Sequence, residues 1–322
     1  KLINEGFKNV IPILDNKEEL AIYEELVENG CKIGMRVATE EEPNFQFYTS
    51  RLGIRNSEVI QFYKDRLANN PKFKLEVLHF FVDTGIKDTI YYWGEFKKVL
   101  KTYCELKKIC PDLRAIDIGG GLPIRNSLGF EYDYSYMINE IVKQIKIACQ
   151  DEGIPEPDIF SEFGKYTVGE SGATIFSVIG QKQQNDSELW YMIDNSLMNT
   201  IPDSWGMAER FILLPINKWY NDFTRVNIGG ITCDNSDFYN SEVHENQVYL
   251  PAFSMKDPEP LYLGFFHTGA YQDALSGYGG IKHCLIPSPK HILVDRDEQG
   301  NLVDRIYLDE QEAEGMLKIL GY

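Results

Sequence analysis

Ala115-Ile116-Asp117-Ile118-Gly119-Gly120-Gly121-Leu122-Pro123 is the stretch on which the fold turns. A short strand-type run passes without a break into three glycines. Consecutive glycines leave backbone N–H groups free to crowd round an anion, where side chains would stand in the way. A tight strand-to-loop turn at positive φ asks for the same residues. Place favours the first reading, because ligands of parallel α/β sheets and barrels gather at the carboxyl ends of strands, and the triplet sits at such an end.

Outward from the triplet the pattern repeats. Short runs rich in Val and Ile at 9–14, 32–37, 75–82, 113–118 and 157–160 have the length and continuity of buried parallel strands. Between them, 17–29, 57–69, 91–108 and 134–151 carry apolar residues at helical spacing, and Asn69-Asn70-Pro71 and Gly153-Ile154-Pro155 stop two of these helices. That is the rhythm of a parallel sheet covered by helices. From about Thr174 the texture changes to short alternating runs at 190–192, 226–231, 247–250 and 291–294, separated by Asn, Asp, Gly and Pro. A helical insertion at 270–275 and a terminal helix at 310–320 complete this half. Two domains are expected, of the α/β plus all-β class: residues 1–181 a β/α domain, and residues 182–322 a β-sandwich or β-barrel domain with a returning helix and a C-terminal helix. The polar stretch Gly180 to Glu188 is expected to connect them.

Of the 322 residues, 43% are hydrophobic and 25% charged, which fits a folded chain with a sizeable core and not disorder. Acidic side chains outnumber basic ones by 49 to 32, a formal net charge of −17 with no Lys/Arg block, so nucleic acid and anionic membrane are poor partners. Cys31, Cys104, Cys110, Cys149, Cys233 and Cys284 form no C-x-x-C pair, which suggests neither a metal cluster nor a disulfide scaffold and predicts a reducing compartment. With no leader-like segment and no bilayer-length apolar run, a cytoplasmic protein is expected. The opening KLINEGFKNVIPIL starts as though in mid-helix, without Met, and the natural chain is expected to begin further upstream.

Three more segments carry chemistry-bearing residues. Ser161-Glu162-Phe163-Gly164-Lys165 ends another strand, where a carboxylate suits the protonated ring nitrogen of a cofactor, or stands solvated or paired with a lysine. Gly229-Gly230-Ile231-Thr232-Cys233-Asp234-Asn235 reads as a loop. A thiol of pKa near ~8.5 is a usable general acid at neutral pH and an adjacent Asp grips a cation; the plainer alternative is an apolar Cys beside a turn Asp. Gly264-Phe265-Phe266-His267-Thr268-Gly269-Ala270-Tyr271-Gln272-Asp273 leads an apolar strand into a helix start whose N–H groups attract phosphate, with the Tyr271 hydroxyl to assist, or is a packed strand before a surface helix.

In order and approximate spacing, LHFFVDTGIKD, AIDIGGGLP, SLMNTIPDSWGM, ITCDNSDFYN and LGFFHTGAYQD resemble the signature set of the pyridoxal-phosphate-dependent amino-acid decarboxylases of alanine-racemase-like fold, most closely the biosynthetic arginine decarboxylase branch, over essentially the whole chain. The resemblance implies a (β/α)8 TIM-type barrel that binds pyridoxal 5′-phosphate, here without its first three strands, followed by a C-terminal β domain that completes the site across a homodimer interface. It implies that Gly119, Gly120 and Gly121 hold the phosphate, that Tyr271 closes over it, and that Glu162 meets the pyridinium nitrogen. Lys165 stands where relatives often have an Arg, trading a bidentate fork for a point charge. Cys233 is implied as the acid that reprotonates the α-carbon and Asp234 as the grip on the substrate's far cationic end, with Asp194 a second candidate for that grip. Cys233 and Asp234 would both reach into the partner subunit's barrel. Where relatives carry H-x-G-S this chain has Phe81-Val82-Asp83-Thr84, so Phe81 is expected to stack on the ring and Thr84 to offer its hydroxyl, while His79 is read as a satisfied core histidine. The family's cofactor-carrying lysine has no match here and is expected upstream of Lys1, so that this stretch alone would be inactive. The implied reaction is decarboxylation of a basic L-amino acid, L-arginine to agmatine in polyamine (spermidine) synthesis, with room for Mg2+ as an additional ion. Diaminopimelate, ornithine and carboxynorspermidine are the alternative substrates, and a non-catalytic binding relative is the reading from another class.

Overall fold

The apolar runs of the first half lie side by side in one parallel sheet: β1 (Ile13–Leu14), β2 (Cys31–Ala38), β3 (Ile54–Arg55), β4 (Phe73–Phe80), β5 (Ala115–Asp117) and β6 (Asp158–Phe160). Their order is β1-β2-β4-β5-β6, with β3 also against β2, and every pairing is parallel. The computed structural model describes all residues except 41–49, 240–247, 278–279 and 281. Helices α1 (Glu19–Leu26), α2 (Asn56–Phe62), α3 (Ile90–Ile109) and α4 (Tyr134–Glu152) return the chain between strands. The two long ones begin where a side chain satisfies the free first turn: Thr89 accepts from Tyr92 N–H at 3.1 Å, and Asp133 from Tyr136 N–H at 2.9 Å. Gly153, at φ 65, closes α4 in the left-handed conformation that glycine adopts without a Cβ penalty. Val99, Leu100 and Tyr103 of α3 and Ile141, Ile145 and Cys149 of α4 join Met35, Leu78 and Ile116 of the sheet in one buried core. At about 1.5–3 kcal/mol for each large apolar side chain, this burial holds the layers together.

All five anticipated strands and all four helices are present. The extra β3 has only two residues and leaves no period to read. The β2–β4 register shifts once: Ile33 pairs with Leu75 but Gly34 pairs with Val77, so Glu76 is an inserted residue. Glu76 is buried, with its carboxylate 3.1 Å from Lys32 Nζ and 2.8 Å from Arg114 Nε. The outer strands β1 and β6 each pair on one side only among the described residues, and Ile159 and Phe160 of β6 are exposed.

By its contacts the chain forms two compact units, Lys1–Pro123 with Glu131–Tyr166, and Ile124–Phe130 with Thr167–Tyr322. A one-turn helix, α5 (Gly164–Val168), runs across the point where the first gives way to the second. The second unit is built on a seven-stranded, mainly antiparallel sheet. It comprises β7 (Ala173–Asn185), β8 (Glu188–Ile193), β9 (Ile212–Pro215), β10 (Phe223–Gly229), β11 (Phe238–Tyr239), β12 (Val248–Pro251) and β13 (Tyr262–Phe266). Short helices α6 (Leu197–Thr200), α7 (Asp203–Gly206) and α8 (Gln272–Leu275), a separate hairpin of β14 (His291–Arg296) and β15 (Leu302–Leu308), and α9 (Ala313–Ile319) complete it. The anticipated strand at 247–250 is β12, and Gln247 lies outside the described residues. Its core gathers Phe176, Val178, Tyr191, Ile193, Ile228 and Phe265, with Phe265 meeting Phe176 and Tyr239 edge to face at 5.6 and 4.9 Å.

The stretch expected to connect two domains is instead a hairpin. β7 runs on to Asn185 and β8 starts at Glu188, so the residues around Lys182 pair with Tyr191 and Trp190, and the division by contacts falls earlier, at Tyr166. Their polarity reflects a solvated strand end, which has the same composition as a loop. No helix among the described residues is long and apolar enough to cross a membrane.

Candidate active site

Arg36, His79 and Asp117 stand side by side in register on β2, β4 and β5. His79 and Asp117 are buried, at 5% and 8% exposure. Polar groups in such a place are costly unless they satisfy one another. Asp117 accepts the Gly119 N–H at 2.9 Å and has a carboxylate oxygen within 4.8 Å of one of Glu162, while His79 Nε2 lies 3.4 Å from Glu162 Oε1. His79 Nδ1 is buried with no hydrogen-bond partner. The expectation of a satisfied core histidine is therefore corrected: the ring is buried, but half of its polar capacity is unused and the other half faces a carboxyl group.

Electrostatics follow from this placement. Burial, then the neighbouring Asp117, push the Glu162 carboxyl above its ordinary range, against the pull of Arg36. Burial lowers the proton affinity of His79, Arg36 adds to that, and Asp117 and Asp15 oppose it. The site thus pairs a carboxyl that favours a proton with an imidazole that resists one. Ligand atoms of His79, Asp117 and Glu162 all lie within 4.8 Å of one another, so the same groups also have the spacing to hold a cation.

Two residues further along the strands, on the same face, come Phe81, Gly119 and, beyond β6, Glu162. Gly119 has φ +65, and a Cβ on it would stand 2.7 Å from Phe80 O; on Gly120 a Cβ would stand 2.8 Å from Glu162 O. Both glycines are therefore required by the backbone, whatever binds there. Glu162 N–H donates to Gly119 O at 2.9 Å, tying the glycine loop to the β6 end, and Gly121 O accepts from Ile86 N–H at 3.0 Å. Phe81 is half-buried with the Arg36 guanidinium 5.7 Å from its ring centre, Thr84 sits in the turn closed by Gly85 N–H to Val82 O, and Lys165 lies in α5. A glycine-lined loop, an aromatic face and a proton-seeking carboxyl together match the parts of a phosphorylated pyridine.

Arg36 and Asp117 were not singled out from the sequence, although each is the lone charge within its strand's buried stretch. A single ion in the middle of a short apolar run is a signal of this kind of site.

The remaining candidates belong to the second unit. Cys233 is exposed, which removes the apolar-core alternative. Its loop is braced by buried Asp237, which accepts from Thr232 N–H and hydroxyl at 3.1 and 2.7 Å and from Leu197 N–H at 2.9 Å. Asp234 accepts from Ser236 N–H at 2.7 Å, and its other oxygen is 3.9 Å from His283 Nε2. Asp194, just past β8, accepts from the Ser177 hydroxyl at 2.7 Å and lines a cavity of about 270 Å³ with Ser288, Glu310 and Gln311. Tyr271 is exposed at φ 68, immediately before the one-turn α8, so the helix begins at Gln272 and its short run of N–H groups makes only a weak anion site.

Residues 4–169 match the family described as pyridoxal-dependent decarboxylase, pyridoxal binding domain. A biosynthetic arginine decarboxylase from Prochlorococcus marinus (strain MIT 9215) is 20% identical, aligned over 98% of this chain and 66% of its own length. The biosynthetic arginine decarboxylase of Campylobacter jejuni superimposes with a TM-score of 0.76 at 20% identity, over 100% of this chain and 66% of that one. A diaminopimelate decarboxylase from Helicobacter pylori complexed with L-lysine does so with a TM-score of 0.73 at 18% identity, over 96% and 72%. The chain spans 66% or less of the length of the first curated relatives it matches. These likenesses establish the fold, a parallel β/α barrel domain followed by a β domain. With the family match extending over more than half of the 322 residues, the chain belongs to the pyridoxal-dependent decarboxylases.

Proposed function

We propose that the protein decarboxylates a basic L-amino acid, L-arginine to agmatine and carbon dioxide, in polyamine synthesis. The observation that carries this reading is the place of Glu162, whose N–H is tied to Gly119 O of the glycine loop at 2.9 Å and whose carboxyl faces His79 Nε2 at 3.4 Å. Pyridoxal phosphate, when bound, supplies the electron sink for the bond that breaks at the α-carbon. Glu162 keeps a proton on the ring nitrogen, and unprotonated His79 leaves that carboxyl's charge to the ring. The amides of Gly119, Gly120 and Gly121 take the phosphate, with Lys165 and the Tyr271 hydroxyl as further contacts, while Phe81 covers a ring face and Thr84 offers its hydroxyl. Asp234 grips the distal cation of the substrate, Asp194 being the second candidate, and Cys233 returns a proton to the α-carbon. Mg2+ has no part in the reading, because it prefers an all-oxygen set and the three clustered groups include an imidazole.

Cys233 and Asp234 serve the site of a second copy of the chain. Two features support a homodimer: Cys233 is exposed, and the β14–β15 hairpin carries apolar residues that are exposed on both strands. A cytoplasmic setting fits the six free thiols.

Carbon dioxide release by the full natural chain, offered arginine, ornithine, lysine and diaminopimelate in turn, tests the proposal. Arginine should lead by at least about 100-fold in kcat/KM, the discrimination a site gains from pairing a buried polar group. Preference for another substrate overturns the choice of arginine, and no release from any of them leaves a non-catalytic relative. Mixing inactive Glu162→Gln and Cys233→Ala chains should restore about a quarter of the activity if sites are shared between two copies; no recovery means each copy works alone.

A further inference from the structure

Of the six cysteines, Cys104, Cys110 and Cys149 are buried and Cys31 is half-buried, whereas Cys233 and Cys284 are exposed. Those two come from separate segments that lie together: the loop after β10, and the single turn His283–Leu285. His283 Nε2 stands 3.9 Å from Asp234 Oδ2, and Cys284 and Cys233 are the residues next to these two in their chain segments, close enough for the Cys233 thiol to influence that of Cys284. Each segment is anchored from behind. Asn199 donates to His283 O at 2.7 Å, and Asp237 holds the Cys233 loop through Thr232. Cys284 and Leu285 both sit at positive φ, 54 and 55, a costly arrangement for two successive non-glycine residues that the surrounding contacts maintain. The turn is thereby fixed with a second thiol presented to the first.

We propose that Cys233 and Cys284 are a redox pair that closes into a reversible disulfide under peroxide and so masks the Cys233 thiol. The bond itself depends only on these two loops; its effect on turnover rests on the reading of Cys233 as the proton donor. The steps balance. One cysteine gives up its proton and, as thiolate, attacks an oxygen of hydrogen peroxide; the O–O bond breaks, a sulfenic acid forms, and the hydroxide released takes up that proton to leave as water. The other thiolate attacks that sulfur, the S–S bond forms, and the displaced hydroxide leaves as water, so two thiols are oxidised while one peroxide is reduced to two waters. Partial desolvation, then the adjacent Cys233, raise the Cys284 thiol, which makes Cys284 the poorer first nucleophile and leaves it the second step, where proximity offsets its smaller thiolate fraction. A dithiol reductant reopens the bond by exchange.

Peptide mapping tests this on the whole protein. After hydrogen peroxide, alkylation of remaining thiols and trypsin, the tryptic peptide 226–256 should be found joined to 283–290 with the loss of two hydrogens, at least about 10-fold above any other cysteine pair, as expected for neighbours at high effective concentration. Dithiothreitol should abolish the linked species, and Cys284→Ser, with its initial activity retained, should never form it. In the wild type, activity should fall and return in step with the link, whereas in Cys284→Ser peroxide loss should not be rescued by dithiothreitol once Cys233 passes to the sulfinic acid. Cys233 recovered only as an oxidised monothiol, or bonded to another cysteine or another chain, overturns the pair. A clean link with turnover unaffected keeps the pair and instead removes Cys233 from the reaction.

Discussion

Glu162 meets His79 on one side and Asp117 on the other, and two predictions belong to these side chains. Glu162→Gln retains shape and hydrogen bonding but cannot hold charge against a ring nitrogen. It should lower kcat by roughly 100-fold, the scale of one positioned proton-holding group, with the urea midpoint little changed. Unchanged kcat would place the ring nitrogen elsewhere. His79 gives a pH dependence of defined sign. Its folded proton affinity is lowered, chiefly by burial, among Asp117, Arg36, Asp15 and Glu162. An unfolded chain takes up this proton as pH falls through about 6.5, whereas the folded one refuses it. Stability is therefore intact above about 6.5 and declines as pH drops towards the lower folded value. His79→Gln removes that decline, so denaturant midpoints of variant and wild type, compared from about pH 7.5 to about pH 5.5, should converge or cross at the acid end. Parallel curves would show that His79 titrates normally.

Among the elements, the glycine loop and the outer hairpin are the most exposed to a single substitution. Gly120→Ala drives a methyl group to 2.8 Å from the Glu162 carbonyl, which is backbone and cannot swing aside. A loss of about 1–3 kcal/mol in unfolding free energy is expected, with weakened uptake of pyridoxal phosphate in a fluorescence titration. A stable variant that takes up cofactor normally would mean the loop has slack. The β14–β15 hairpin is two-stranded, and Val294, Ile306 and Tyr307 are 65%, 57% and 66% exposed. A hairpin of that kind is marginal without cover, and on the homodimer reading Ile306→Asp should shift light-scattering mass towards a single chain. How far such elements can be read from sequence depends on the range of the cause. The glycine triplet, the capped helices and the Val/Ile runs are set by neighbours in the chain, and they were legible. The 180–188 hairpin was misread because solvated strands and loops share a composition. The meeting of Cys233 with Cys284, and of Arg36 with His79, depends on which strands and loops become neighbours in space, and no local pattern encodes that.

At the scale of the whole molecule, a net charge of −17 surrounds a site proposed to take a cation. Raising ionic strength from about 0.01 M to about 1 M contracts the screening length from about 30 Å to about 3 Å. KM for a cationic substrate should rise several-fold while kcat stays level, and a flat KM would show that the field has no steering effect. The fold also keeps its chemistry in phase by a single bulge. If Glu76 were paired in line, Arg36 would stand opposite Leu78; the shift that sets Glu76 outside the ladder keeps Arg36 beside His79. A chain with Glu76 deleted would run from Ile33–Leu75 straight into Gly34–Val77 and still set Arg36 beside His79, but it would lose the carboxylate that Lys32 and Arg114 share. The bulge takes up the length of one extra residue, so the strand gains a buried clasp for two cations at its base while the pairing above it stays in phase.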